Sequence, residues 1–138
     1  MSWRVRFALV LAASLGALGA CDGEAALEDR DWTLVALGGE PVSATAHRPA
    51  PNLRLVSDDG QMRGFAGCNR MFGDYTLEGT RLEFGPVGAT RMACSDAPSE
   101  PAFMAALAAT KAYELAGSVL LFKDGATVLA RFEATQPD

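Results

Sequence analysis

Histidine is all but missing from this chain: His47 is the single one among 138 residues. A nucleophile activated by imidazole needs that base beside it, and His47 lies in a Pro/Ala-rich stretch with Ala44, Ala46, Pro49 and Pro51 and no orienting partner. Cysteine is nearly as scarce, with only Cys21, Cys68 and Cys94. Two cysteines and a histidine fall short of the roughly four ligands of a zinc site. The spacing of Cys68 and Cys94 is nothing like a Cys-x-x-Cys redox pair. There is no Gly-x-x-x-x-Gly-Lys loop, no Gly-x-Ser-x-Gly elbow and no His-Glu-x-x-His. A glycosidase-like carboxylate pair cannot be selected from 17 acidic residues by position alone. These gaps lead to the expectation of no catalytic turnover, no metal and no cofactor. The apolar stretch Phe7 to Ala20 has 14 residues. At about 1.5 Å per residue it covers roughly 21 Å of a ~30 Å hydrocarbon core, too little for a transmembrane helix.

What the N-terminus does have is the tripartite form of a secretory signal: Arg4 and Arg6, an apolar run from Phe7 to Leu15, and small residues from Gly16 to Ala20. Leu18-Gly19-Ala20-Cys21 resembles the lipobox of bacterial lipoproteins, which makes Cys21 the expected lipidated first residue after residues 1–20 are removed. Asp22 directly after it resembles an enteric-type inner-membrane retention signal, though which membrane holds the protein stays open. The expected location is the cell envelope, facing the periplasm, with the membrane engaged through the lipid. Without residues 1–20 the chain keeps ten basic against 17 acidic residues, a net charge of −7. With no basic cluster, nucleic acid is not an expected partner. Residues 21–30, with Asp22, Glu24, Glu28 and Asp29, read as a polar tether.

From Asp31 the pattern turns strand-like. Trp32, Leu34 and Ala36 alternate with Thr33, Val35 and Leu37 before a Gly38-Gly39 turn. Ser57-Asp58-Asp59-Gly60 closes one hairpin and Glu78-Gly79 a second, between Tyr75-Thr76-Leu77 and Leu82-Glu83-Phe84. Gly117 and Asp124-Gly125 separate three further strand-like runs, Tyr113 to Leu115, Val119 to Phe122 and Val128 to Phe132. One helix is expected between residues 99 and 110, with Ser99 as cap, Glu100 at its positive end, Pro101 in the first turn, and Phe103, Met104, Leu107 and Ala108 facing the core. Seven or eight short strands joined by tight turns imply antiparallel pairing. The expected class is α+β: a mostly antiparallel twisted sheet or open β-barrel with one covering helix.

The most informative stretch runs from Gly64-Phe65-Ala66-Gly67-Cys68-Asn69-Arg70-Met71-Phe72-Gly73 to Ala89-Thr90-Arg91-Met92-Ala93-Cys94. Gly67 and Gly73 permit turns closed to other residues, and Asn69 tolerates a left-handed backbone, so Cys68 is expected at a bend between strands. Cys68 and Cys94 are an even pair in an exported chain, where disulfides persist. These two runs resemble the META domain family, also called HslJ-like, over about residues 31–134. Met71 before Phe72 is a small departure. The resemblance implies a compact β-rich domain with a helix, in heat-shock-linked and secreted or lipid-anchored envelope proteins associated with stress or antibiotic tolerance, motility or virulence. It implies no known reaction.

Arg70 and Arg91 each accompany one cysteine. Either they sit on neighbouring loops and hold an anion or carboxylate together, or each is a surface arginine paired with Asp74, Asp96 or Glu100. The leading expectation is a non-enzymatic, stress-related binding or structural module of the envelope. It would act through Asn69, Arg70, Phe72 and Arg91 on loops Gly67–Gly73 and Ala89–Ser95. Its partner would be an envelope protein or a small apolar ligand. The rivals are a carrier of an apolar ligand or lipid, and an enzyme or enzyme inhibitor using the same loops.

Overall fold

In the computed structural model, which describes residues 26–135 apart from 93, 95 and 96, side chains alternate in and out along most strands. β1 (Asp31–Leu37) is followed by the two-residue β2 (Glu40–Pro41), then β3 (Asn52–Val56) and β4 (Gln61–Phe65). β5 (Arg70–Glu78), β6 (Arg81–Phe84) and the two-residue β7 (Gly88–Ala89) come next. After α1 (Glu100–Ala109), a meander of β8 (Ala112–Ala116), β9 (Val119–Asp124) and β10 (Thr127–Ala134) ends the chain. All pairings are antiparallel, in the order β10-β9-β8-β6-β5-β4-β3-β1. β10 pairs back onto β1, with Trp32 opposite Ala134 and Leu34 opposite Phe132. Eight strands therefore close into a barrel that is mostly β with one short helix. The expected antiparallel barrel with one helix is present, but the α+β label is corrected because the chain is mostly strand, and the open barrel because closure removes the exposed edges an open sheet would carry.

The interior is filled. Trp32, Leu34, Leu55, Met62, Leu82, Leu120, Phe122 and Phe132 are fully buried, and α1 adds Phe103 and Leu107. Phe103, Phe132, Phe122 and Phe84 form a chain of tilted rings with successive centroids 6.0, 4.7 and 5.5 Å apart. The helix buries Ala106 where the expected stripe has Ala108, which is exposed. Ser99 precedes the helix without a side-chain cap bond.

Simple alternation predicts Ala36 inside, but a bulge between Leu34 and Ala36 shifts the register and turns Leu37 inward instead. Gly73, expected at a turn, lies within β5, where a Cβ would meet the Pro86 carbonyl at 3.0 Å. Its glycine serves close backbone approach. Residues 27–30 also depart from the expected tether. Leu27 is buried, its carbonyl accepts from Trp32 Nε1 at 3.0 Å, and Asp29 N donates to the Leu55 carbonyl at 2.7 Å. Glu28 accepts the Tyr75 hydroxyl, and Asp29 accepts from Ser57 N at 3.0 Å and from the Ser57 hydroxyl. Burial and the Glu28 carboxylate push the Tyr75 phenol well above its ordinary range. The Ser57 bonds hold the Asp29 carboxyl below its ordinary range. This N-terminal hook grips the turn end of the β3–β4 hairpin.

Candidate functional site

At the open end of that hairpin, the two motif runs meet the start of α1. Gly67, at φ +120°, makes the bend that carries the chain from β4 toward β5. Cys68 follows and is disulfide-bonded to Cys94 across a Cα–Cα distance of 6.0 Å. The disulfide brings the two halves of the motif side by side.

Asn69 is the centre of this region. It is only 7% exposed, and its backbone φ is not left-handed. Its Nδ2 donates to Glu100 Oε1 at 2.7 Å, and its Oδ1 accepts from Met92 N at 2.6 Å and from Thr90 Oγ1 at 3.1 Å. The backbone N–H groups of Cys68 and Asn69 both donate to Glu100 Oε2 at 2.9 Å. Partial burial pushes the Glu100 carboxyl up. The bonds from the Asn69 side chain and from the Asn69 and Cys68 backbones, with Arg48 nearby, outweigh it and leave the group below the ordinary glutamate range. Arg70 N donates to Thr90 Oγ1 at 3.1 Å while Thr90 N donates to the Arg70 carbonyl at 3.0 Å. β7 continues the same zipper, with Met71 opposite Ala89 and Phe72 opposite Gly88.

Asn69 is therefore withdrawn from the expected binding surface: its polar atoms are spent inside the fold. The other three expected surface residues, Arg70, Phe72 and Arg91, are exposed. Arg70 and Phe72 sit on β5 and not in a loop, and alternate outward with Met71 and Gly73 inward. Among the described residues, neither Arg70 nor Arg91 makes an ion pair with Asp74 or Glu100. Asp74 accepts from the Gln61 side chain, and Glu100 is held by Asn69 and Cys68. Asp96, the third expected partner, lies outside the described residues, as do Ala93, Ser95 and the lipidation residue Cys21.

Sequence reasoning misses the roles of four residues of this site. Glu100 carries no signal of its role, because its partners are over thirty positions away. Thr90 and Met92 lie within the motif but are not singled out by residue type. Gly88 leaves room for the Phe72 ring, which a Cβ there would push aside. Phe72 is 53% and Met92 61% exposed. Of the three large apolar side chains so exposed among the described residues, only Val128 lies outside the motif.

His47 is exposed in the loop between β2 and β3. Among the described residues no group of three His, Cys, Asp or Glu side chains could hold a metal, and no helix is long and apolar enough to cross a membrane.

The family model described as META domain matches residues 25–136. A solved structure titled "NMR structure of the protein from Burkholderia xenovorans" is 26% identical, covers 80% of this chain and 85% of its own, and superposes with a TM-score of 0.63. A second, titled "NMR structure of the protein", shares the fold at 20% identity and a TM-score of 0.60, covering 78% of this chain and 90% of its own. No curated protein matches significantly.

Proposed function

The chain belongs to the META domain family, and on that premise we propose that it is an exported, lipid-anchored envelope protein whose barrel is a non-enzymatic binding module linked to stress tolerance. It works through the ledge formed by Arg70, Phe72, Arg91 and Met92. The observation that carries this is the pairing of large exposed apolar groups with exposed arginines on a backbone already fixed. Phe72 and Met92 are more than half exposed, while the strand and loop beneath them are held by Cys68–Cys94 and by the Asn69–Glu100 bonds. Burying such groups in solvent-free contact is favourable, and a rigid surface loses little entropy in making the contact. Aromatic and arginine side chains are also the types that dominate binding hot spots. The filled interior favours this surface over the carrier alternative, since an apolar ligand inside the barrel would have to displace Phe122, Phe132 and their neighbours.

Two experiments test the proposal. A photo-crosslinking amino acid at position 72, in the native envelope, should trap a defined partner, while one at exposed Ala108 on the helix should not. Identical crosslink patterns from both positions overturn the ledge. Cys21→Ser should leave the protein as precursor or release it from the membrane fraction; continued palmitate labelling of that variant overturns the anchor.

A further inference from the structure

The outer face of β3, β4 and β5 beside the ledge has an order that no residue pattern in the sequence announces. The register sets Arg63 opposite Phe72 and Phe65 opposite Arg70. These four side chains form a square on one face of neighbouring strands, with the guanidiniums on one diagonal and the rings on the other. Arg54 stands opposite Arg63 and extends the cationic edge. All five line a shallow open groove of about 660 Å³.

Like charges directly opposite each other on a sheet are unfavourable, so this arrangement has a cost that the fold partly offsets. Asp31 meets Arg54 at 3.3 Å, and Asp59 meets Arg63 at 2.5 Å. Both pairs are exposed, so each contributes little and exchanges readily with another carboxylate. Arg70 makes no ion pair among the described residues. Asp74, the next outward residue of β5 after Phe72, brings the carboxylates beside these three arginines to three, so what distinguishes the patch is not its net charge but Arg70, a guanidinium left with no ion pair among the described residues.

We propose that this square binds an extended acidic peptide segment of a partner protein, with glutamates two residues apart engaging Arg63 and Arg70. This rests on the ledge being a binding surface, and names what it takes. Diagonal positions on paired strands lie roughly 7–8 Å apart, their Cβ atoms somewhat closer. Alternate side chains of an extended peptide are about 7 Å apart on one face. The spacing of the two arginines therefore matches carboxylates at i and i+2. Arg70 takes one carboxylate through paired N–H···O bonds, and the Arg63 guanidinium exchanges its exposed bond to Asp59 for the other. Phe65 lies beside the line between them and the Phe72 ring, leaning over Gly88, borders it, so both offer apolar surface to the methylenes of the glutamate stems. The closed barrel offers no free edge strand here, so recognition is through side chains and not by strand addition.

The test uses the mature full-length protein and fluorescence anisotropy at low salt. One fluorescein-labelled probe carries repeated Glu-Ala-Glu and its control carries Gln-Ala-Gln. Non-specific electrostatics on an acidic protein would favour the uncharged control, so the sign of the preference is diagnostic. The Glu probe should bind at least about ten-fold more tightly, the scale of one charge-assisted hydrogen bond. Arg70→Ala should remove that preference, while Arg81→Ala, an exposed arginine outside the groove, should leave it intact. Equal binding of the two probes, or equal effects of Arg70→Ala and Arg81→Ala, overturns the proposal. Binding of polygalacturonate but of neither peptide, lost in Phe72→Ala, overturns the peptide class while the binding surface stands. Absence of every ligand, together with no position-specific crosslink from residue 72 in the envelope, overturns both.

Discussion

The two sides of this barrel are held together by different forces. The C-terminal meander of β8, β9 and β10 is fixed by apolar packing: Phe132 meets Phe122 on one side and Phe103 of the helix on the other in tilted ring contacts, and the strands are joined by tight turns at Gly117 and Gly125. The motif side is fixed by polar geometry. Asn69, Thr90 and Glu100 tie three separate chain segments together beside the disulfide. Apolar packing tolerates exchange of similar volumes, whereas a hydrogen-bonded hub demands particular atoms in particular places. A recognisable motif is expected where the hub is, and a loose hydrophobic pattern where the packing is.

The comparison breaks most forcefully at the packed side. Phe132→Ala empties the centre of the ring cluster and should destabilise by about 3–5 kcal/mol, read from the urea midpoint. On the motif side, replacing Cys68 and Cys94 together by alanine frees a loop closed over 26 positions. The chain-entropy model gives about 3–4 kcal/mol for such a loop. The same variant should become protease-sensitive near residues 66–72 before the meander does, seen by mass spectrometry of limited digests.

Glu100→Gln should cost about 1–2 kcal/mol, since two backbone donors lose a charged acceptor. It also sharpens the comparison through pH. Glu100 is held below its ordinary value in the folded chain. The unfolded chain therefore binds the proton more readily, and stability rises with pH through that range. The contribution is complete above about pH 4.3, the ordinary glutamate value, and fades as pH falls through the lower folded value. Acid titration of the melting temperature should show a shallower decline in Glu100→Gln than in the parent; identical slopes would deny Glu100 its role. Smallest of all, Arg70→Ala with Arg91→Ala should shift stability by under about 0.5 kcal/mol, as expected for exposed side chains without fold-building contacts. A larger loss would place them in the hub.

Much of the fold was legible because turn chemistry is local. Gly60, Gly79, Gly117 and Gly125 all take positive φ at the hairpin turns expected of them. The closure of β1 on β10 was not legible, since about a hundred residues separate them and no local signal marks the pairing. The bulge after Leu34 was hidden for a related reason: an extra residue leaves composition unchanged while reversing which side chain faces inward. At the site, Cys68 with Cys94 and the exposure of Arg70, Phe72 and Arg91 followed from the motif. Asn69 was misplaced because its residue type suits a surface turn as well as a buried hub, and only Glu100, far along the chain, decides between them. The Arg63–Phe72–Phe65–Arg70 square depends on register between β4 and β5, which residue types alone do not specify.

The N-terminal hook has a consequence for reach. Leu27, Glu28 and Asp29 are clamped to the turn end of the β3–β4 hairpin, and the hub lies at the hairpin's other end. Only six peptide steps separate Cys21 from Leu27, and a chain that long spans at most roughly 20 Å. If Cys21 carries the proposed lipid, the barrel is leashed at the hook end of the hairpin, and its search is confined to a thin shell above the lipid. Within such a shell, even a millimolar-affinity contact with another membrane-bound chain is met at a high effective concentration. Lengthening the leash with inserted glycines and serines should dilute that advantage without touching a single contact.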